Sequence, residues 1–215
     1  MTKIVFFGDS ITDMGRRREY DGLSDSAFSY GMGYPAFVAG ELLQTPKQYE
    51  VINRGIASDE SVDLYARVSH DVWAHNPDVV SILIGVNDVW HQINSTKKSG
   101  VDLPRFAKVY RNLLDETKER FPNVKFVLLE PFVLLGIGTQ EHYDELLGVK
   151  EYAKEVRKIA QEYGASFLPL QDMLEKATER EGTGTFLYDG IHPTIAGAKL
   201  IADAWLKLFK EEIEK

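Results

Sequence analysis

A serine at the end of a predicted strand is the first residue whose type and position could support chemistry. The apolar run over residues 3–7 predicts a parallel strand covered on both faces, and Gly8 interrupts it two residues before Ser10. Ligands of open α/β sheets bind outside the carboxyl ends of the strands, so a hydroxyl here would face a crevice. Taken alone, the stretch is explained more simply by Asp9 or Ser10 capping the next helix.

A base and its partner occur near the other end of the chain. His192 and Asp189 lie three residues apart, in a loop before the final predicted helix. A serine hydroxyl is a weak nucleophile that needs a positioned base, and the base needs a group that fixes its tautomer. At this spacing the carboxylate can reach the imidazole and leave the other ring nitrogen for Ser10, as in a catalytic triad. A turn that caps the last helix is the alternative explanation.

Acyl transfer also needs hydrogen-bond donors that face the developing oxyanion. Gly55 follows the second predicted strand, and its backbone N–H is accessible because glycine has no side chain. Asn87 follows the third strand and can add a side-chain amide, while Ser10 can donate its own N–H. Each of these residues alone is typical of an ordinary turn. Their joint occurrence at the ends of three strands favours an oxyanion hole.

These candidates need a scaffold that brings strand ends together, and the hydrophobic pattern predicts one. Strands are expected at residues 3–7, 49–53, 79–84, 124–129 and 165–170. Helices are expected at residues 34–43, 62–72, 106–121, 143–163 and 171–178, and a last helix carries Ile201, Trp205, Leu208 and Phe209 on one face. Strands that alternate with helices predict a parallel sheet with right-handed crossovers. Residues 14–33 are expected to form a long loop, and residues 180–188 a mobile one.

Composition narrows the possible partners. The 215 residues suit one domain, expected to span 1–215, and they contain no cysteine, so disulfides and a thiol nucleophile are excluded. A formal net charge of −8 argues against a nucleic-acid partner. No apolar stretch is long enough to span a bilayer and no leader-like segment precedes the first strand, so a cytoplasmic location without membrane association is predicted. A homo-oligomer is also expected, because many soluble enzymes of this size form one.

Taken together, these motifs resemble the SGNH, or GDSL-like, hydrolase superfamily. Its blocks stand here as Gly8-Asp9-Ser10, then Gly55, then Gly85-Val86-Asn87-Asp88, then Asp189-Gly190-Ile191-His192-Pro193. The resemblance covers essentially the whole chain, and four blocks in this order are a specific signal. Ile11 replaces the leucine of the Gly-Asp-Ser-Leu motif, which leaves every functional position filled.

The resemblance implies roles for each block. Ser10 would be the nucleophile, His192 the base and Asp189 its orienting partner. The N–H groups of Ser10 and Gly55 and the side chain of Asn87 would form the oxyanion hole. The implied fold is a flavodoxin-like, three-layer α/β/α arrangement with a five-stranded parallel sheet. Neither a metal nor another cofactor is required.

The longer runs around Ser10 and Asn87 look like those of intracellular carbohydrate acetyl esterases, notably enzymes that act on acetylated xylo-oligosaccharides. An acetyl group needs a small pocket, whereas a sugar favours an exposed aromatic platform with polar groups beside it. Trp90, Tyr30, Tyr34 and Phe132 are candidates for that platform. Asp9, Arg16 and Asp13 are the polar candidates, although Arg16 and Asp13 could simply pair with each other.

Three other functions stay open at this point. A thioesterase or lysophospholipase would use the same triad and prefer longer acyl chains. A non-catalytic carbohydrate-binding protein would keep the scaffold but lack a triad member. A receiver-like domain would use Asp9 and Asp13 to hold magnesium and a phosphoryl group, which leaves Asn87 and His192 without a role.

Overall fold

A computed structural model describes residues 1–21, 27–44, 48–93 and 99–214. Within these ranges a sheet of five parallel strands is formed by β1 (Thr2–Gly8), β2 (Tyr49–Gly55), β3 (Val79–Leu83), β4 (Lys125–Leu129) and β5 (Ser166–Leu168). Their spatial order is β2-β1-β3-β4-β5. The predicted parallel sheet is therefore confirmed, and the order is that of flavodoxin-like folds.

Helices connect the strands and flank the loops. The α-helices are α1 (Ser10–Asp13), α2 (Ala27–Tyr30), α3 (Tyr34–Leu42), α4 (Ser61–Asp71), α5 (Val86–Ile93), α6 (Leu103–Arg120), α7 (Tyr143–Leu146), α8 (Val149–Tyr163), α9 (Gln171–Glu181), α10 (Thr183–Phe186) and α11 (Ile195–Leu208). Short 3₁₀ helices lie at Arg18–Tyr20, Trp73–His75 and Gln140–His142, and a π-helix follows α11 at Phe209–Ile213. None of the helices in the described ranges has the length and apolar character needed to cross a membrane.

Two groups of helices cover the two faces of the sheet. Helix α3 packs against α11, and α6 packs against both α4 and α8. Right-handed crossovers in this strand order place the helix after β1 on one face and the helices after β2, β3 and β4 on the other. The three-layer α/β/α prediction is thus confirmed. Because both faces are covered, β3 is buried along its whole length.

The last helix is tied to the middle of the sheet by one tryptophan. Trp205 of α11 is fully buried, and its ring packs 5.0 Å from that of Phe6 in β1. Its indole Nε1–H donates a 3.0 Å hydrogen bond to Ser81 Oγ of β3, so the buried polar atoms satisfy each other. Helix α11 is thereby fixed to β1 and β3, two of the strands whose ends carry candidate site residues, and the loop before α11 is held near them.

Three predicted segments differ from the structure. The helix expected at 143–163 is two helices, α7 and α8, separated at residues 147–148, where Gly148 weakens helical continuity. The mobile loop expected at 180–188 is largely helical, because α9 continues to Glu181 and α10 follows Gly182, whose φ of +82° ends the first helix. The loop expected at 14–33 contains two helical turns, and its residues 22–26 lie outside the described part.

Candidate active site

Ser10, His192 and Asp189 form a continuous hydrogen-bonded chain. Ser10 Oγ lies 2.8 Å from His192 Nε2, and His192 Nδ1 lies 2.7 Å from Asp189 Oδ2. Ser10 is the first residue of α1, directly beyond the carboxyl end of β1. Beside β1 the chain reverses its direction of progress across the sheet, which is where open α/β sheets form their ligand crevice. The arrangement has the order and spacing of an activated serine nucleophile.

The loop before α11 fixes Asp189 through its own backbone. Asp189 Oδ1 accepts the N–H groups of Ile191 at 2.9 Å and of His192 at 2.8 Å, which leaves Oδ2 for the imidazole. Gly190 lies between them with φ +106°, a conformation that strongly favours glycine. The carboxylate and the imidazole that it orients therefore lie within four consecutive residues, and hydrogen bonds inside this short loop fix the carboxylate.

The apolar segment at residues 132–139 supports this loop from behind. Gly138 N–H donates to the carbonyl of Asp189 at 2.9 Å, and Leu134 N–H donates to the carbonyl of Gly190 at 2.9 Å. A Cβ on Gly136 would approach the Asp189 carbonyl oxygen to 2.5 Å, so this position needs glycine for a close backbone contact. The backbone of this segment therefore supports Asp189, while its side chains Leu135 and Ile137 are exposed.

The pair is tuned electrostatically towards a charged imidazole. Burial by itself lowers the pKa of His192, but the hydrogen bond and charge of Asp189 outweigh it and hold that pKa above its ordinary value. Burial raises the pKa of Asp189, but the bonds from His192 and Ile191 prevail and hold that pKa below its ordinary value. Asp189 is thus held as an anion, and its contact with His192 favours the protonated form of the imidazole.

Asp9 lies directly before the nucleophile but is fully buried. Its Oδ1 accepts the N–H of Ile11 at 3.0 Å and so caps α1, while its Oδ2 has no partner among the described residues. Burial raises the pKa of Asp9 to about 7, although the bond from Ile11 and the nearby His192 oppose the increase. Direct contact between Asp9 and substrate was predicted and is wrong, because the carboxyl group is sealed beneath α1.

Gly55 does not supply the donor that was expected from it. Its N–H donates to Asn53 Oδ1 at 2.9 Å, so that N–H is not free for an oxyanion. A Cβ on Gly55 would come within 2.3 Å of the Asp13 backbone nitrogen, which shows that α1 lies directly on this glycine. Gly55 is therefore required for close packing between α1 and the end of β2. The prediction failed because glycine is equally suited to a free N–H and to a close contact.

A residue that sequence reasoning missed lies three positions later. Ser58 is exposed and adopts the left-handed conformation with φ +70°, which is uncommon for serine. Its backbone N–H makes no hydrogen bond within the described residues. The carbonyl of the next residue, Asp59, accepts Asn87 Nδ2 at 3.0 Å, so this turn is bonded to Asn87. No residue-type signal marks Ser58, because serine seldom adopts this backbone conformation.

Asn87 remains a candidate donor. It lies in the first turn of α5, which begins three residues after β3 ends, and it is half-buried. The bond to Asp59 uses one hydrogen of its side-chain amide and fixes the orientation of the group, which leaves the second hydrogen available. The N–H of Ser10 is likewise unpaired within the described residues. Two of the three predicted donors are therefore available.

Arg16 and Asp13, which were predicted to bind the sugar, instead bond to other groups of the protein. Arg16 is buried, and its Nε donates to the carbonyl of Gly55 at 2.7 Å while its guanidinium pairs with Asp21 at 2.8 Å. Asp13 accepts the N–H groups of Ala57 at 3.0 Å and of Arg16 at 3.1 Å. Both side chains tie the turn after β2 to α1. The prediction that Arg16 binds substrate is wrong for this arrangement.

Of the four aromatic residues predicted to form a sugar platform, three are buried and one is partly accessible. Phe132 and Tyr34 are fully buried and Tyr30 is 8 % exposed, so these rings belong to the core and the prediction for them is wrong. Trp90 is half-buried in α5, with its ring edge-on to His142 at 6.4 Å. Tyr188 was overlooked. It is 51 % exposed, and its ring stacks on that of His192.

No metal site accompanies this arrangement in the part of the chain that the structure describes, where His, Asp and Glu side chains nowhere gather in groups suited to an ion. Asp9 and Asp13, the pair that a receiver-like site would use, instead accept backbone N–H groups of Ile11, Ala57 and Arg16.

Comparison with known proteins gives consistent results. Residues 6–200 match the model of the GDSL-like lipase/acylhydrolase family. The chain is 36 % identical over 211 residues to an acetylxylan esterase of Geobacillus stearothermophilus, covering 95 % of this chain and 92 % of that protein. A crystal structure of this bacterial esterase shares 33 % identity over 96 % of this chain and 93 % of its own, with a TM-score of 0.82. A structure from Parabacteroides merdae named as a GDSL-like lipase has 34 % identity, coverage of 97 % and 95 %, and a TM-score of 0.89.

Proposed function

Because the chain belongs to the GDSL-like lipase/acylhydrolase family and is a carboxylic ester hydrolase, we propose that it removes acetyl groups from acetylated xylo-oligosaccharides. The observation that carries the chemistry is the chain of short contacts from Ser10 Oγ through His192 to Asp189. The observation that supports the substrate is the likeness over nearly the whole chain to an acetylxylan esterase. Neither depends on a metal or another cofactor.

The proposed reaction uses each member of the triad in turn. His192 Nε2 takes the proton of Ser10 Oγ as that oxygen attacks the acetyl carbonyl carbon, and a tetrahedral oxyanion forms. His192 then gives the proton to the sugar oxygen as the bond between that oxygen and the acetyl carbonyl carbon breaks. The sugar leaves as an alcohol, and the acetyl group remains on Ser10. A water molecule, deprotonated by His192, attacks this ester, and acetate leaves as Ser10 regains its proton. Asp189 stays ionised and stabilises the imidazolium in both halves.

The oxyanion hole that we propose has three donors: the N–H of Ser10, the side-chain amide of Asn87 and the N–H of Ser58. The third replaces the predicted Gly55. It is supported by the free N–H of Ser58, its left-handed backbone, and the bond that joins the following residue to Asn87. Donors that are fixed before the reaction stabilise developing charge without a cost of reorganisation in the transition state.

We expect Asn87→Ala to lower kcat for acetate esters by ~10² to 10³, as loss of one oxyanion donor typically does. KM should change little, because the interaction strengthens only when negative charge develops. Steady-state kinetics on p-nitrophenyl acetate measure both constants. Gln92→Ala is the matched control, since it removes a side-chain amide from the same helix. The Gln92 amide donates to the carbonyls of Asp88 and Val101, outside the proposed oxyanion hole. A loss confined to KM in the Asn87 variant would contradict the assignment.

The proposed substrate is tested by comparing acyl-chain lengths and leaving groups. We expect p-nitrophenyl acetate to be hydrolysed with a higher kcat/KM than p-nitrophenyl octanoate, and acetylated xylo-oligosaccharide to suppress hydrolysis of the acetate ester as a competing substrate. Acetate released from the oligosaccharide gives a direct readout, and Ser10→Ala is the control for enzymatic turnover. A preference for octanoate would contradict the proposal and indicate a thioesterase or lysophospholipase with the same triad.

The proposal also covers the domain organisation of the chain. We infer that residues 1–215 form one catalytic domain, which is supported by the single core that joins both helix layers to the sheet. A cytoplasmic location and a homo-oligomeric state stay predictions.

A further inference from the structure

Tyr188 is an exposed aromatic residue attached to the catalytic histidine. Its ring lies 5.5 Å from the His192 ring, centroid to centroid, with an interplanar angle of 15°, and half of its surface is open to solvent. A single exposed apolar side chain is common on protein surfaces, so it is the contact of this ring with His192 that sets it apart. The proposed acyl-transfer chemistry does not use this ring. Its stacking on the His192 ring suggests a use.

The reaction itself determines where the sugar must lie. His192 Nε2 gives its proton to the alcohol oxygen of the ester, so that oxygen must come within hydrogen-bond distance of the imidazole edge. The sugar ring that carries the oxygen must then lie beside the imidazole. The aromatic ring stacked on the imidazole is Tyr188. A substrate whose leaving group is a sugar therefore meets Tyr188 as it enters the position from which it is protonated.

We propose that Tyr188 forms the subsite for the leaving sugar, on which the apolar face of a pyranose stacks. This inference rests on the proposed function, since it assigns a contact for the alcohol half of the ester. The apolar C–H face of a pyranose gains contact area on an aromatic ring at low conformational cost, because the tyrosine side chain has only two rotatable torsions. The phenolic hydroxyl is not required for such a contact.

The backbone holds this ring in place before any ligand binds. Tyr188 N–H donates to the carbonyl of His192 at 3.0 Å, and the flanking residues Leu187 and Pro193 form an antiparallel bridge. Leu187 is buried, so the segment is anchored to the core on the side away from solvent. A preorganised platform lowers the entropy that binding must overcome. Tyr188 is therefore better suited to this task than an exposed residue in an unsupported loop.

The test separates binding of the leaving group from chemistry on the acyl group. Tyr188→Ala should raise KM for an acetylated xylo-oligosaccharide by roughly tenfold, the effect of losing one aromatic stacking contact. kcat/KM for ethyl acetate, whose leaving group is too small to stack, should stay within about threefold of wild type. Tyr188→Phe should restore KM on the oligosaccharide. Ile195→Ala, which removes another exposed apolar side chain close in sequence to His192, is the control and should leave both substrates unchanged.

Each result has a definite meaning. Equal losses on both esters, with a shifted pH profile, would overturn the proposal and make Tyr188 a positioning residue for His192. No change in KM on the oligosaccharide would also overturn it, and the proposed function would stand. If wild-type enzyme hydrolyses ethyl acetate in a Ser10-dependent way but no acetylated xylo-oligosaccharide or other acetylated sugar, the proposed function fails first and the sugar subsite fails with it.

Discussion

Ser10→Ala is expected to lower kcat for acetate esters by ~10⁶, because loss of a serine nucleophile costs about as much as loss of a whole triad. The alanine variant has no oxygen that can form an acyl-enzyme, and His192 keeps its bond to Asp189 but loses its bond to Ser10. Oxyanion donors and binding alone leave a residual acceleration of ~10³ to 10⁴ over water. Burst and steady-state kinetics on p-nitrophenyl acetate measure the loss.

The fold should survive this substitution, since Ser10 is half-buried and the cap of α1 is the carboxylate of Asp9. Circular dichroism and a thermal melt check this. Ser69→Ala is a matched control, because Ser69 is exposed in α4 and away from the crevice. A second readout is covalent: an organophosphonate should add to wild-type enzyme and not to Ser10→Ala, as seen by mass spectrometry. A variant that keeps a few per cent of wild-type turnover would place the nucleophile elsewhere.

Asp189→Asn is expected to lower kcat by ~10⁴, the cost of an asparagine that holds the histidine in the wrong tautomer. The amide oxygen can still accept the N–H groups of Ile191 and His192, so the loop should keep its shape while the charge is lost. The variant therefore separates the charge of Asp189 from its structural bonds. Asp144→Asn, which neutralises an exposed carboxylate in α7, controls for the change in net charge.

The same substitution should move the pH profile in a defined direction. Burial lowers the pKa of His192, and the hydrogen bond and charge of Asp189 raise it above its ordinary value of 6.5. Activity requires neutral His192, so wild-type kcat/KM rises with pH through a pKa above 6.5. Without the carboxylate the raising contribution is lost, and the acidic limb should shift to lower pH as the maximum falls. An unshifted limb would show that Asp189 does not set the charge of His192.

The site also explains why the nucleophile is preceded by a buried acid. Asp9 caps α1 through Oδ1 and leaves Oδ2 without a partner among the described residues, so burial raises its pKa to about 7. With this raised pKa, Asp9 carries less negative charge near pH 7 than an ordinary aspartate, and so repels a developing oxyanion less. The motif Gly8-Asp9-Ser10 thus combines a helix cap with a carboxyl group of raised pKa beneath the proposed nucleophile.

The residue types and their order along the chain determined which residues could form the triad. A serine after a strand and a histidine three residues from an aspartate are local signals in the sequence. The side chains of these three residue types suit the roles of nucleophile, base and orienting partner. The same local character made the sheet predictable, because β1 and β3 are apolar runs that only a strand covered on both faces accommodates. Helix bounds were predicted less accurately. The break at residues 147–148 was missed, because such a break depends on packing as well as on helix propensity.

Only the tertiary structure decided which neighbours of the triad face the substrate. Gly55, Arg16 and Phe132 have residue types suited to a site, but contacts within the protein occupy them. Helix α1 packs on Gly55, Arg16 binds the Gly55 carbonyl, and Phe132 is buried in the core. Ser58 and Tyr188 gave no signal, because a left-handed backbone and a ring stacked on an imidazole arise from the surrounding structure. Sequence determines the chemistry that a side chain can perform. Burial and hydrogen-bond occupancy, which depend on residues far apart in the chain, determine whether the side chain is free to perform it.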